Sequence, residues 1–337
     1  MSQMITRRDF LATSALLPTA SAYAQTVEAL PIRVALVPPK PGDDYYNACR
    51  LGALEAAAEV SGVQLTYTAP ATADPVLQAE LLGRLVDERL DAIVVAPLAS
   101  DLVTAACARA VRAGVKVISI DHPLPPDARQ LHLAPPDVAE TPPQLLSILS
   151  LALGGKGEIA LLSSAPGEGS HIAFAASLQR ELLKGEYSEL TLITTVFGNE
   201  RLQDSYAEAL AIIQAYPDLR GILAPSHGGL AGAARAVMDL GRSSSIKVTG
   251  VGLPSRMATA VQAGVVPGFL TWSPVDVGYA ATRIAIALAK NEVVIQAGTP
   301  VLAGRLGQLI VNDNTEAVVG ELITVDATTI DKFAEMF

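Results

Sequence analysis

The stretch IRVALVPPKPGDDYY, residues 32–46, decides the fold of this chain. Residues 32–37 are almost all apolar, which is typical of a strand buried in a parallel sheet. A loop rich in Pro and Gly follows, and we predict that a helix begins near Tyr45 and Tyr46. Because ligands of open α/β folds bind just beyond the carboxyl ends of the strands, this loop predicts one wall of a binding crevice. The alternative is an ordinary first strand followed by a solvated loop.

The same strand–loop–helix unit recurs along most of the chain. Four predicted strands alternate with helices up to Ile120, and a Pro-rich connection then leads to a boundary near Leu133–Asp137. The pattern restarts with a helix over Glu140–Leu153 and a strand over Glu158–Leu162. This repetition predicts an α/β fold of two doubly wound parallel-sheet domains with a crevice between them.

The composition agrees with such a fold and excludes several classes of partner. Half of the 337 residues are hydrophobic, and only 4% are aromatic, as expected for sheets covered by helices on both faces. The net charge of −10 argues against nucleic acid or an anionic membrane surface as a partner. No cysteine or histidine spacing typical of a metal site occurs, and we predict neither a metal nor a cofactor.

The amino-terminal segment has the pattern of an export signal. The pair Arg7-Arg8 precedes a mildly apolar stretch, residues 11–22, and Ala22-Tyr23-Ala24 forms a small-x-small cleavage site. We predict that residues 1–24 direct export by the twin-arginine (Tat) pathway to the periplasm. The alternative, an uncleaved membrane anchor, needs a longer apolar stretch. Cys49 and Cys107 are predicted to lie on helices at opposite faces of one sheet, which argues against a bridge between them, although an oxidising compartment permits one.

Polar and aromatic side chains follow several predicted strands, at the edge where an α/β site forms. They are Lys40, Asp43, Asp44, Asp121, His122, Ser163, Ser164, His171, Ser226, His227 and Trp272. For any one of them the alternative is a solvated loop residue. Trp272, the only Trp, is suited to stacking on the apolar face of a sugar, and Tyr45 or Tyr46 is suited to the opposing face unless it packs under the helix.

No catalytic constellation stands out, and we predict no catalytic residue. The pair Asp43-Asp44 is better explained as acidic charge at a helix amino terminus than as an acid–base dyad. Asp121 has two interpretations, either a base or an acceptor for ligand hydroxyls fixed beside Lys40.

The order of motifs resembles the type I periplasmic solute-binding proteins of sugar ABC importers, in particular the branch that binds autoinducer-2 and rhamnose. The resemblance covers nearly all of residues 31–335. It rests on the stretches VALVPPK (34–40), VQLTYTAP (63–70), LDAIVV (90–95), ILAP (222–225), FLTW (269–272) and IDKF (330–333).

The resemblance implies a ligand site and a domain layout. The implied ligand-binding residues are Lys40, Tyr45, Tyr46, Asp121, His122, Ser170, His171, Pro225, Ser226, His227 and Trp272. The implied layout is an N-terminal domain of residues 31–134 plus 275–305, a C-terminal domain of residues 135–272, and a tail, 306–337, that crosses back over a multi-strand hinge.

Departures from the family pattern restrict the choice of ligand. The autoinducer-2 branch has Asp-Gln where Ser170-His171 stand and Asp-Ala where Ser226-His227 stand. Ribose-type relatives have an Asp at the position of Gly252. These differences point to another small neutral sugar or polyol, such as a pentose or deoxy sugar.

The resemblance also implies the mechanism and the partners. The protein is expected to be a monomer that closes about its hinge on the ligand and is then recognised by an ABC permease. A periplasmic sensor that signals to a receptor kinase and a sugar-modifying enzyme that uses Asp121 or His227 are the alternatives.

Overall fold

Two parallel sheets organise the part of the chain that the computed structural model describes, residues 30–166 and 169–337, with the side chains of residues 169 and 170 outside that description. In chain order the first elements are β1 (Ile32–Val37), α1 (Asp44–Ala58), β2 (Val63–Tyr67), α2 (Pro75–Asp87), β3 (Ala92–Val95), α3 (Asp101–Arg112), β4 (Lys116–Ile120) and β5 (Leu131–Ala134). There follow α4 (Pro142–Leu153), β6 (Gly157–Ser163), α5 (Gly169–Leu182), β7 (Leu190–Phe197), α6 (Leu202–Ala215), β8 (Leu219–Ala224), α7 (His227–Asp239), β9 (Lys247–Gly250) and α8 (Pro254–Gln262). The last elements are β10 (Gly268–Thr271), α9 (Pro274–Ala289), β11 (Pro300–Leu302), β12 (Gln308–Ile310), β13 (Glu316–Val318), β14 (Ile323–Asp326) and α10 (Ile330–Ala334).

The first sheet has the strand order β13-β5-β4-β3-β1-β2, and every neighbouring pair is parallel. The order reverses between β1 and β3, and in doubly wound sheets ligands bind at such a point. The loop after β1, which the sequence marks as a crevice wall, therefore lies where the topology places a binding site.

The second sheet has the order β7-β6-β8-β9 and is also parallel. The chain passes between its two halves at three places in its described part. It leaves the first sheet after β5, returns after β10 through α9, and runs from β13 to β14. Strand β14 pairs antiparallel with β10 in a separate two-stranded sheet, which a single bridge from Leu270 to Val251 joins to the end of β9. The doubly wound α/β fold predicted from the sequence is confirmed, while the exact domain boundaries stay a prediction.

One strand lies where the sequence predicts only a Pro-rich connection. Residues Leu131–Ala134 form β5, the fifth strand of the first sheet, beside β4. The crossover between these strands carries a single 3₁₀ turn, Pro126–Ala128, instead of an α-helix. The sequence prediction identifies strands by their alternation with helices. It misses β5 because no α-helix connects β4 to β5.

Helices α1 and α9 pack against each other at very short range, and two glycines permit this. A Cβ built on Gly52 would lie 1.8 Å from the carbonyl oxygen of Val275, and one on Gly278 would lie 1.9 Å from that of Cys49. Any larger residue would separate the helices. This packing fixes α1, and with it the loop after β1, to the helix that returns from the second sheet.

Buried hydrophobic residues form three core clusters, and the largest runs from the first sheet to the second. It contains Leu36, Leu149, Leu161 and Trp272. Cys49 belongs to this cluster, whereas Cys107 lies in the cluster on the other face of the first sheet. The placement on opposite faces agrees with the sequence prediction, and both thiols are free. Among the described helices, none is long and apolar enough to cross a membrane.

Candidate functional site

Side chains from both sheets meet at the carboxyl ends of their strands. Tyr45 and Tyr46 start α1, which follows β1, while His227 is the first residue of α7 and Trp272 directly follows β10. We call these four rings the aromatic cluster. Asp121, the first residue after β4, borders it. The sequence prediction that these residues lie together is thus met by the geometry, although their role in binding stays a prediction.

The rings of the aromatic cluster contact one another across the junction of the two sheets. The centroid of Tyr45 lies 5.2 Å from that of Tyr46, 6.0 Å from that of His227 and 6.4 Å from that of Trp272. His227 and Trp272 are 5.4 Å apart. Trp272 Nε1 donates a hydrogen bond of 3.3 Å to the Tyr45 hydroxyl. The cluster therefore offers several ring faces and edges with hydroxyl and imidazole groups between them.

Asp121 is held in an uncommon backbone conformation by its neighbours. Its φ of +66° lies in the left-handed region, which few residues besides Gly, Asn and Asp adopt. The Tyr46 hydroxyl donates a hydrogen bond of 2.6 Å to its Oδ2, and His122 Nδ1 lies 3.2 Å from the same oxygen. Because one carboxylate oxygen makes both contacts, the other remains an acceptor for a ligand hydroxyl.

The carboxyl group of Asp121 is ionised at neutral pH. Burial alone would raise its pKa, but the hydrogen bond and charge of His122 and the hydrogen bond from Tyr46 hold the pKa below its usual value. Burial raises the pKa of Tyr46 well above that of a free phenol, and the charge of Asp121 adds to this effect. The pair is therefore a neutral donor and a charged acceptor.

His227 contributes a buried nitrogen that has no partner among the described residues. Its Nδ1 is shielded from solvent and makes no hydrogen bond. Burial lowers the pKa of His227, although the charges of Glu200, Asp121 and Asp43 oppose the shift, so the ring is neutral. Buried polar atoms in proteins are almost always satisfied, so this nitrogen is a candidate partner for a ligand or a water.

Lys40 and His122 lie at the edge of the site rather than inside it. Lys40 Nζ is 3.7 Å from Asp43, its side chain is 51% exposed, and it forms no ion pair with Asp121 among the described residues. Asp43 caps α1 by accepting a hydrogen bond from the Tyr45 amide, as its helix-terminal interpretation predicts. The His122 side chain is 60% exposed and contacts Asp121. The pairing of Lys40 with Asp121 that the sequence suggested is therefore absent from this structure.

His171 is a buried hub at the start of α5. Its Nδ1 accepts a hydrogen bond of 3.1 Å from the Ser164 amide and contacts the Ser163 hydroxyl at 3.2 Å, while Nε2 lies 3.0 Å from Glu200. Because Nδ1 accepts from a backbone N–H, the ring proton is on Nε2 and points at Glu200. The two nitrogens thus connect the loop after β6, through Nδ1, with the loop after β7, through Nε2. The neighbouring candidate Ser170 lies, as a side chain, outside the described residues.

Pro225 and Ser226 shape the start of α7. Both are buried, and the Ser226 hydroxyl accepts a hydrogen bond of 3.1 Å from the Gly229 amide as the helix cap. Ser226 thereby positions His227, its neighbour. A side chain at Gly252 would collide with Leu230, whose Cδ2 would lie 2.6 Å from the added Cβ. An acidic residue at this position, as in ribose-type relatives, would therefore require the Leu230 side chain to move.

Sequence reasoning missed Glu200 as a partner of the site. It follows a predicted strand in a Gly-Asn-Glu loop, and both Asn199 and Glu200 have positive φ, near +50°. No local pattern indicates that this carboxylate folds back onto His171. Among the described residues, no group of three or more His, Cys, Asp or Glu side chains is placed to hold a metal ion.

The family model of the periplasmic binding protein domain matches residues 34–292. This chain belongs to the periplasmic binding protein family. A xylitol-binding protein of Mycolicibacterium smegmatis is 22% identical over 280 residues, 83% of this chain and 77% of the relative. The chain also resembles the crystal structure of a sugar ABC transporter protein from Actinomyces odontolyticus, with 26% identity, a TM-score of 0.78, and coverage of 89% of this chain and 97% of that one. A solute-binding protein of an ABC transporter from Clostridium phytofermentas, solved with bound L-rhamnose, has 23% identity and a TM-score of 0.77, with coverage of 92% and 100%.

The family membership confirms the resemblance drawn from the sequence motifs and places the matched region over both parallel sheets. The family consists of solute-binding proteins that act outside the cytoplasm.

Proposed function

We propose that this periplasmic binding protein is the substrate-binding component of an ABC importer and binds a small neutral sugar or polyol between its two sheet domains. The observation that carries the proposal is the aromatic cluster, built from both halves of the chain and bordered by Asp121. Aromatic rings pack on the C–H faces of sugars, and a carboxylate and a neutral imidazole bind hydroxyls. The ligands of relatives, xylitol and L-rhamnose, are both neutral polyhydroxylated compounds.

The charges around the site support a neutral ligand. Asp121 is ionised, His227 is neutral, and Lys40 lies at the exposed edge beside Asp43. An acidic or phosphorylated sugar would bring a second negative charge near Asp121 with no buried cation among the described residues of the cluster to balance it. Neutral ligands are therefore favoured over sugar acids and sugar phosphates.

The mechanism we propose is hinge closure. The N-terminal domain, residues 31–134 plus 275–305, and the C-terminal domain, residues 135–272, each supply part of the site, and residues 306–337 cross back over the hinge. A ligand that contacts Asp121 and Tyr46 on one side and His227 on the other binds the closed form more tightly than the open one. A micromolar ligand supplies roughly 8 kcal/mol, enough to shift a balance of a few kcal/mol.

The remaining parts of the proposal follow from this role. Residues 1–24 direct export of the chain by the Tat pathway, and the exported protein acts as a monomer. Its closed form delivers the ligand to a permease in the inner membrane. It returns the ligand unchanged. The arrangement of His171 supports this absence of catalysis, because its Nδ1, which contacts the Ser163 hydroxyl, already accepts a hydrogen bond from the Ser164 amide.

The experiment is a binding comparison between matched neutral and acidic compounds, such as xylitol with xylonate and L-rhamnose with L-rhamnonate, by isothermal titration calorimetry. We expect a neutral compound to bind at least about tenfold more tightly than its acid, because about 1.4 kcal/mol of charge repulsion suffices for that factor. Turnover of the ligand, measured by chromatography after incubation, would contradict the binding-protein role.

A further inference from the structure

Consecutive residues at the start of α1 reach two different elements of the second half of the chain. Tyr45 points inward to Trp272 and His227, whereas Asp44 forms an ion pair with Arg256 in α8, with 2.5 Å between Oδ2 and Nε. Helix α1 packs with α9 on the first sheet, and α8 packs on α10 and α7, beside the second sheet. The Asp44–Arg256 pair therefore joins the two halves outside the aromatic cluster.

The surroundings of this pair separate it from the ligand site. Asp44 and Arg256 line an open groove of about 810 Å³, together with Arg50 and Glu335, and no member of the aromatic cluster lines it. Arg256 is held in place by its helix, since the amide of the preceding residue, Ser255, donates a hydrogen bond of 3.1 Å to the carbonyl of Phe337. The pair therefore lies in an exposed groove, outside the aromatic cluster.

We infer that the Asp44–Arg256 pair is a positioning pair that stabilises the closed form, so that the affinity for an uncharged ligand depends on salt. This inference rests on the hinge closure proposed above. When the halves separate, α1 and α8 move apart and the ion pair breaks. The pair therefore stabilises the closed form relative to the open form. Side chains of Arg256 and Asp44 are 61% and 40% exposed, and exposed pairs of this kind change an equilibrium by up to about fivefold.

The chain offers a matched control. Arg235 pairs with Asp239 at 3.5 Å within the single helix α7, with side-chain exposures of 57% and 47%. This pair has similar exposure and the same residue types, but it does not join the two halves. Neutralising it changes the net charge equally and leaves closure unaffected.

The test compares wild type, Arg256→Gln, Arg256→Asp, the swap Asp44→Arg with Arg256→Asp, and the control Arg235→Gln. Two readouts are used, namely acrylamide quenching of the single Trp272 in ligand-free protein and titration with xylitol and L-rhamnose at about 20 mM and about 0.5 M NaCl. We expect the ligand affinity of the wild type to fall about two- to fivefold in high salt. Arg256→Gln should already have this lower affinity in low salt and show no salt dependence. The swap should recover the wild-type affinity. Arg256→Asp is expected to increase quenching of Trp272, because like charges favour the open form.

Several results would overturn the inference while leaving the proposed function intact. One is binding of a neutral ligand with equal affinity and salt response in Arg256→Gln and Arg235→Gln. If neither these compounds nor a wider panel binds, the proposed function fails. The quenching data then decide the inference alone, and equal quenching in Arg256→Asp and wild type would overturn it.

Discussion

Trp272 Nε1 donates a hydrogen bond to the Tyr45 hydroxyl across 3.3 Å, and the two rings meet edge to face. Trp272 follows β10 and Tyr45 starts α1, so this contact links the second half of the chain to the first. Because the sequence contains one Trp, indole fluorescence reports on this contact without interference from other tryptophans.

Replacing Tyr45 by Phe removes the acceptor and keeps the ring. We expect the emission maximum of Trp272 to shift and the ligand affinity to fall about two- to tenfold, which corresponds to one lost hydrogen bond. Fluorescence titration measures both effects. Tyr67→Phe is the control, since the Tyr67 hydroxyl has no hydrogen-bond partner among the described residues. Equal spectra for Tyr45→Phe and wild type would contradict the assignment of this contact.

Removing the charge of Asp121 should weaken ligand binding at least about tenfold, because hydrogen bonds to charged groups contribute about 1.5–3 kcal/mol. Asp121→Asn is the sharper variant, since Asn tolerates the left-handed backbone conformation that Asp121 adopts. Asp121→Ala combines the same loss with backbone strain. Calorimetry gives the affinity and circular dichroism the fold. Unchanged affinity in folded Asp121→Asn would remove this residue from the site.

Trp272→Ala is expected to weaken binding at least about tenfold as well, because a large ring face is lost from the cluster. Trp272→Phe keeps part of that face, so its ligand affinity should lie between those of Trp272→Ala and the wild type. The measurement is calorimetry with the same ligand, together with thermal unfolding. If Trp272→Ala binds as wild type does, the aromatic cluster is a structural core and not a ligand platform.

His171 should matter for stability through its contacts with the loop after β6. We expect His171→Ala to lower the free energy of unfolding by about 1–3 kcal/mol, because it removes the imidazole that hydrogen-bonds to the buried Ser163 hydroxyl and the Ser164 amide. Glu200→Gln keeps an acceptor for Nε2–H of His171, so it should lower the free energy of unfolding by less than His171→Ala does. Urea unfolding followed by circular dichroism compares them. A smaller loss for His171→Ala than for Glu200→Gln would contradict the hub role.

His132 in β5 is expected to make the stability depend on pH. Burial and the charge of Arg129 lower its pKa to about 4, against the opposing charge of Glu316. In the unfolded chain His132 becomes protonated near pH 6.5, whereas in the folded protein it stays neutral down to about pH 4. The free energy of unfolding therefore falls as the pH drops from about 6.5 to about 4. Relative to His132→Asn, wild type should lose on the order of 3 kcal/mol over this range, measured by urea unfolding at several pH values. A constant difference between the two proteins would show that His132 titrates normally.

The sequence predicted most of the fold because hydrophobic runs and helix caps are local signals. Residues 32–37 form the predicted buried strand, and Asp43 lies at the helix amino terminus that its charge indicated. Ser226, predicted only as a ligand-binding residue, caps α7. β5 and β13 escaped prediction, because each is only three or four residues long and has no crossover helix beside it.

The site was predictable only where a residue follows a strand of the sheet. Asp121 and Trp272 directly follow strands, while Tyr45 and His227 lie in the first turns of the helices after β1 and β8, and they meet at the junction of the two halves. Side-chain partners are set by tertiary packing, so the sequence does not indicate that Lys40 turns to Asp43, that Glu200 reaches His171, or that Asp44 reaches Arg256.

The most direct measurement is a thermal-unfolding screen of residues 25–337 against neutral sugars, polyols, sugar acids and sugar phosphates, followed by calorimetry of each hit. A neutral sugar or polyol at about 100 times its dissociation constant should stabilise the protein by about 2.7 kcal/mol and raise its melting temperature by a few degrees. It should also be recovered chemically unchanged. Binding confined to charged compounds, or no stabilisation by any neutral compound of a well-folded protein, would contradict the account.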